Sequence, residues 1–174
     1  VLLQRLKDHI TAVVTRYKGK VYAWDVVNEA IDDNSSKTYR ETQWYTICGE
    51  EYIARAFQWA HEADPDALLF YNDYNTEYSG KRDKIYNMLK KLIDAGVPVN
   101  GIGLQGHWAI SSPTEQEIRD AIAKFSTLGI KVQITELDIS VYPSNADFSV
   151  RTAGDDKFTS DMEQKQLERY KMIF

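Results

Sequence analysis

A chain of 174 residues, 43% hydrophobic and 27% charged, is long enough for one domain with a buried core, and no stretch approaches the roughly 18–20 apolar residues of a membrane span. The formal net charge of -5, with Lys and Arg interspersed among Asp and Glu, argues against nucleic acid or an anionic membrane as partner and favours a neutral substrate. The single cysteine, Cys48, excludes an internal disulfide and is expected to be a small, partly buried side chain.

The first segment has helical periodicity: Leu2, Leu3, Leu6, Ile10, Val13, Val14 and Tyr17 recur at three- and four-residue intervals until Gly19. Because the chain begins at Val1 inside this pattern, the natural sequence is expected to continue upstream, where a cleaved leader is compatible with it. A β-branched and aromatic run, Val21 to Val27, predicts a strand that stops at Asn28-Glu29. A helix is predicted from about Gly49 to Ala63, broken by Asp64-Pro65-Asp66, then a strand from Ala67 to Tyr71 ending at Asn72. Gly80 to Ala95 predicts another helix, closed by Gly96, and Ile102 to Gln105 a strand leading to Gly106-His107-Trp108. Thr114 and Glu117 have capping-box spacing at the next helix start. Gly129 ends that helix, Lys131 to Thr135 forms a strand reaching Glu136, and Met162 to Phe174 forms a final helix. The polar stretch between Tyr142 and Asp161 is expected to be a rim loop.

Short apolar strands alternating with helices predict parallel strands covered by helices, either doubly wound or a (β/α)₈ barrel. No Gly-rich phosphate loop follows a strand, which weakens the nucleotide-binding version. All four strand C-termini instead carry polar and aromatic residues, and barrel enzymes place their chemistry at that rim. A barrel is therefore the favoured α/β fold. A closed barrel has eight strands and only four are found, so about half of one is expected here, the remainder belonging to the same domain.

Glu29 and Glu136 each follow a strand directly, and two facing carboxylates are the minimum apparatus for glycoside hydrolysis. A single glutamate in that position is more simply a helix cap or a solvated loop residue. The pair, with Asn, Gln, His and aromatics at the neighbouring strand ends, weakens that simpler explanation. The three histidines lack metal-ligand spacing, so neither a metal nor a cofactor is expected.

Four motifs then bring a family into view. Trp24-Asp25-Val26-Val27-Asn28-Glu29-Ala30 resembles the acid/base motif of the glycoside hydrolase family 10 xylanases, and Ile134-Thr135-Glu136-Leu137-Asp138-Ile139 resembles that family's nucleophile motif. Between them, Tyr71-Asn72-Asp73-Tyr74-Asn75 and the stretch from Gly101 to Trp108 are similar to its fifth- and sixth-strand motifs, in the same order. The resemblance implies a TIM barrel of which strands 4–7 are present across residues 1–174. It also implies a retaining endo-1,4-β-xylanase, with xylan or xylo-oligosaccharides as substrate and a secreted or cell-envelope location.

Under the same resemblance Glu29 is the general acid and later the base, with a proton affinity raised by repulsion from Glu136, the nucleophile. Asn28 is to hydrogen-bond the sugar 2-hydroxyl, and His107 to hold Glu136 with Asp138 behind it. Gln105, Asn72 and Tyr74 lie near the cleft, where each could instead tie the rim together through backbone hydrogen bonds. Trp108 is to line the cleft floor. Trp44 and Tyr45, in the loop after Glu29, either stack on sugar or pack as a local core; Trp24 and Trp59 pack helix to strand. Retention requires the two carboxyls to lie about 5–5.5 Å apart. Two alternatives stay open: a barrel glycosidase cleaving another β-glucan, and a xylan-binding half-barrel that needs the remaining segments for turnover.

Overall fold

The computed structural model describes residues 1–142 and 157–174. The expected rim loop falls largely on positions outside the described residues. In chain order the elements are α1 (Leu2–Tyr17), β1 (Ala23–Asn28), α2 (Gln43–Cys48), α3 (Glu51–Ala63), β2 (Leu68–Asp73), α4 (Ser79–Asp94), β3 (Gly101–Leu104), β4 (His107–Ala109), α5 (Glu115–Ser126), β5 (Lys131–Ile134), β6 (Asp138–Ser140) and α6 (Ser160–Ile173).

β1, β2, β3 and β5 form a four-stranded parallel sheet in that order, so each strand pairs with the next across an intervening helix. Helices cover one face. Ile53, Phe57 and Ala60 of α3, Ile85 and Leu89 of α4, and Ala121 and Phe125 of α5 meet Leu69, Tyr71, Ile102 and Leu104 from the strands in one core. Phe57 and Phe125 have no exposed surface, and truncating such a residue to alanine costs about 3–5 kcal/mol. Trp24 meets Tyr17 edge-to-face at 6.1 Å, which ties α1 to β1.

The predicted helices and strands are all present, with ends shifted by at most three residues. Three short elements depart from the expectation. Residues 43–48, expected as loop, form a helix because Thr42 caps it: its hydroxyl accepts the Tyr45 N–H at 3.3 Å. β4 and β6 form a second, two-stranded parallel sheet that places His107 opposite Asp138. At α5 the Thr114–Glu117 capping box is closed in both directions.

Candidate active site

The site lies at the C-terminal ends of β1, β2, β3 and β5. Successive strand residues point to opposite faces, so Asn28 and Glu29 should diverge. They do not, because Glu29 leaves the strand in the left-handed region at φ 53°. Several bonds hold that strained conformation: the Glu29 N–H donates to Asn72 O at 2.9 Å, and Arg40 reaches Glu29 O at 3.3 Å. Gln105 Nε2 then donates both to Asn28 Oδ1 at 3.2 Å and to Glu29 Oε1 at 3.0 Å.

A second amide does the same for the other carboxylate. Asn72 Nδ2 donates to Asn28 Oδ1 at 3.0 Å and to Glu136 Oε1 at 2.7 Å. Thr135 Oγ1 donates to Asn72 Oδ1 at 2.7 Å, which fixes the amide in that orientation. Gly103 makes room, since a Cβ there would lie 2.3 Å from Asn72 Oδ1 and 2.7 Å from Thr135 Cγ2. Gln105 and Asn72 are both 2% exposed. Besides these side-chain ties, both join the rim through the backbone bonds expected of them: Asn72 O accepts the Glu29 N–H, and Gln105 O accepts the Glu136 N–H at 2.8 Å.

Glu136 is flanked on its outer side by His107, whose Nε2 lies 3.2 Å from Oε2 while Nδ1 lies 2.8 Å from Asp138 Oδ1. A ring with a carboxylate at each nitrogen can donate from both only as imidazolium. The hydrogen bond to Asp138, followed by that carboxylate's charge and Glu136, accordingly raises the His107 pKa against a desolvation effect that lowers it.

The expected high proton affinity of Glu29 is not found; its pKa is lowered. The hydrogen bond from Gln105 is the largest cause, and the Arg40 hydrogen bond and charge add to it, outweighing partial burial. Arg40 Nη1 lies 2.6 Å from Glu29 Oε2. The charge of Glu136 acts instead on Asp25, whose pKa is raised by burial first and by Glu136 second.

Beneath the rim lies an ionic cluster that the motifs did not announce, with Lys81 and Asp73 buried and Asp33 exposed. Lys81, on α4, sits 2.9 Å from Asp73 and 3.1 Å from Asp33, with its ammonium 3.4 Å from the centre of the Tyr74 ring. Tyr74 therefore packs against a cation, and burial followed by Asp33 pushes its hydroxyl up to about 12. The Tyr71 hydroxyl accepts the Ala30 N–H at 3.0 Å and donates to Asp73. Asp73 is fully buried, and that burial raises its pKa despite Lys81.

The aromatic residues divide. Tyr45 stacks on Tyr39 at 5.1 Å and Trp44 on Tyr52 at 6.5 Å, so both contribute to local packing. Trp44 also lines a cavity of about 190 Å³ together with Asn28 and Glu29. Trp108 is 5% exposed and lines a separate cavity with His107, Glu77 and Tyr78. Among the described residues no group of three His, Cys, Asp or Glu side chains could hold a metal, and no helix is long and apolar enough to cross a membrane.

Residues 1–174 match the family described as glycosyl hydrolase family 10. The chain belongs to that family. It is similar to a β-1,4-xylanase of Dictyoglomus thermophilum, at 52% identity over 99% of this chain and 48% of the relative. Its fold is similar to the xylanase XynB of Paenibacillus barcinonensis, solved with a conduramine derivative: TM-score 0.92 and 48% identity over 98% of this chain and 50% of that one. A mutant structure in complex with xylotriose matches at TM-score 0.90 and 38% identity, covering 98% of this chain and 51% of that one. The chain thus spans about half the length of the family 10 relatives it matches, and its sheet is part of a (β/α)₈ barrel.

Proposed function

We propose that the chain is the part of a retaining endo-1,4-β-xylanase that carries both catalytic carboxylates, Glu136 as nucleophile and Glu29 as acid/base. The supporting observation is their shared framework: Asn28 Oδ1 accepts from two amides, each of which also donates to one of the carboxylates. A Glu136 oxygen attacks the anomeric carbon as the bond from that carbon to the leaving oxygen breaks, and Glu29 gives its proton to that oxygen. Water then attacks the glycosyl ester, returning a proton to Glu29 and releasing Glu136 as carboxylate. Each acceptor bond of Asn28 is at Oδ1, so its Nδ2 is available to donate to the sugar 2-hydroxyl.

In the open site Gln105 and Arg40 favour ionised Glu29, the form needed as base in the second step. A sugar filling the cleft displaces water, and the resulting desolvation raises the carboxyl's proton affinity for the first step. We assign turnover to the complete barrel, of which residues 1–174 form one part, and place it outside the cell or in the envelope, where a polysaccharide substrate is met.

A xyloside carrying fluorine at C2 and a good leaving group should form a stable ester on Glu136 in the complete protein, seen by mass spectrometry as added mass on the peptide containing Glu136. A label on Glu29, or none with activity retained, overturns the assignment. A carboxymethyl cellulose assay beside xylan distinguishes a β-glucanase.

A further inference from the structure

Glu29 has a partner that neither the motifs nor the double-displacement scheme requires. Arg40 Nη1 lies 2.6 Å from Glu29 Oε2 and 3.3 Å from Glu29 O, so one guanidinium nitrogen grips the side chain and the backbone of the same residue. That residue is the one held at φ 53°. We propose that Arg40 is a positioning residue for Glu29, fixing its carboxylate toward the cleft and setting the balance between its proton-donor and proton-acceptor roles. This rests on the proposed role of Glu29.

Surface arginines often swing freely and contribute little. Arg40 is aimed by its backbone. Its N–H donates to Ala30 O at 2.9 Å, its carbonyl accepts the Thr42 N–H at 2.8 Å, and Ile31 bridges to Tyr39 in antiparallel fashion. Thr42 caps α2, and the Tyr39 hydroxyl is tied to Glu50 at 2.8 Å. The intervening loop is clamped as well: the Lys84 ammonium of α4 donates to the carbonyls of Asp32, Asn34 (3.0 Å) and Lys37 (2.9 Å). Three backbone carbonyls converging on one ammonium define the loop that returns the chain to Glu29.

Other charged or titratable groups stand around the pair. Lys81 of α4 acts on Glu29, while Tyr74 and Asp73 at the end of β2 act on Arg40. Asp33 of the loop is held by Lys81. Beyond the bridging amides lie Glu136, then His107 and Asp138. Only Arg40 makes an ion pair with Glu29 among the described residues.

The test is the pH dependence of kcat/KM on xylan in the complete protein. Arg40→Met should move the alkaline limb, which reports loss of the acid's proton, upward by about one pH unit. It should also reduce kcat more than it changes KM. Arg40→Gln, which keeps a donor and loses the charge, should move the same limb and serves if the methionine variant does not fold. In the wild-type protein about 1 M salt should shift the limb in the same direction, since the Debye length falls to about 3 Å and the pair is partly exposed. A limb that stays in place in the folded variants and in salt overturns the role of Arg40. If instead Glu29→Ala leaves xylan hydrolysis unchanged, the proposed function itself fails.

Discussion

The two carboxylates sit in unequal surroundings. Around Glu29 the framework is deep: Arg40 is anchored by its own backbone, and behind it Lys81, Asp73 and Tyr71 are at most 4% exposed. Around Glu136 the support is split. Asn72 holds it from the buried side, but His107 and Asp138 on the outer side keep 49% and 67% of their side-chain surface exposed. The Glu29 side is thus rigid because buried charges must keep their partners, whereas the outer Glu136 side depends on hydrogen bonds that compete with water.

Three substitutions in the complete protein probe this contrast. Lys81→Met removes the cation between two aspartates and leaves Asp73 buried without it, which should cost about 3–5 kcal/mol in chemical denaturation. A loss below about 1 kcal/mol would mean that the Glu29 side is no more rigid than the other. Tyr71→Phe strands the Ala30 N–H and one Asp73 oxygen, and should cost about 1–3 kcal/mol with the same readout.

The smallest effect is expected at His107. Its pKa is raised above the ordinary value of 6.5, so its contribution to stability is fully present below about pH 6.5 and fades as pH rises through the folded value. His107→Gln should flatten that part of the stability–pH curve. Because the ring is half exposed, the change should be small and should shrink further in salt. A wild-type curve rising over the same interval would contradict the assignment.

Much of the architecture was legible because the main strands are short stretches rich in apolar residues and several helices close on a glycine. Gly19, Gly96 and Gly129 all take positive φ, as such endings require. β4 and β6 were not legible: three residues carry no periodicity, and their pairing joins positions 31 apart along the chain. At the site, the motifs pointed to Glu29, Glu136 and His107, which the structure gathers at one rim, but not to how Asn72 and Gln105 spend their N–H groups. Lys81 was hidden because a helical lysine ordinarily faces solvent. Arg40 was hidden because its approach to Glu29 depends on a loop folding back, which no local spacing encodes. The expected high proton affinity of Glu29 is not found because the Gln105 hydrogen bond first, and Arg40 after it, favour the ionised carboxylate, and neither is visible from the pairing of Glu29 with Glu136.

The double amide bridge through Asn28 has one further consequence. Glu29 and Glu136 are joined by an unbroken path of hydrogen bonds, yet every link between them is an amide N–H or an amide oxygen. Amides at neutral pH neither take up nor surrender protons, so the path transmits alignment and polarity but no proton. The framework is an insulator as well as a brace. It lets one carboxylate be protonated while the other, a few bonds away, stays charged, which is the separation of states that the proposed two-step displacement needs.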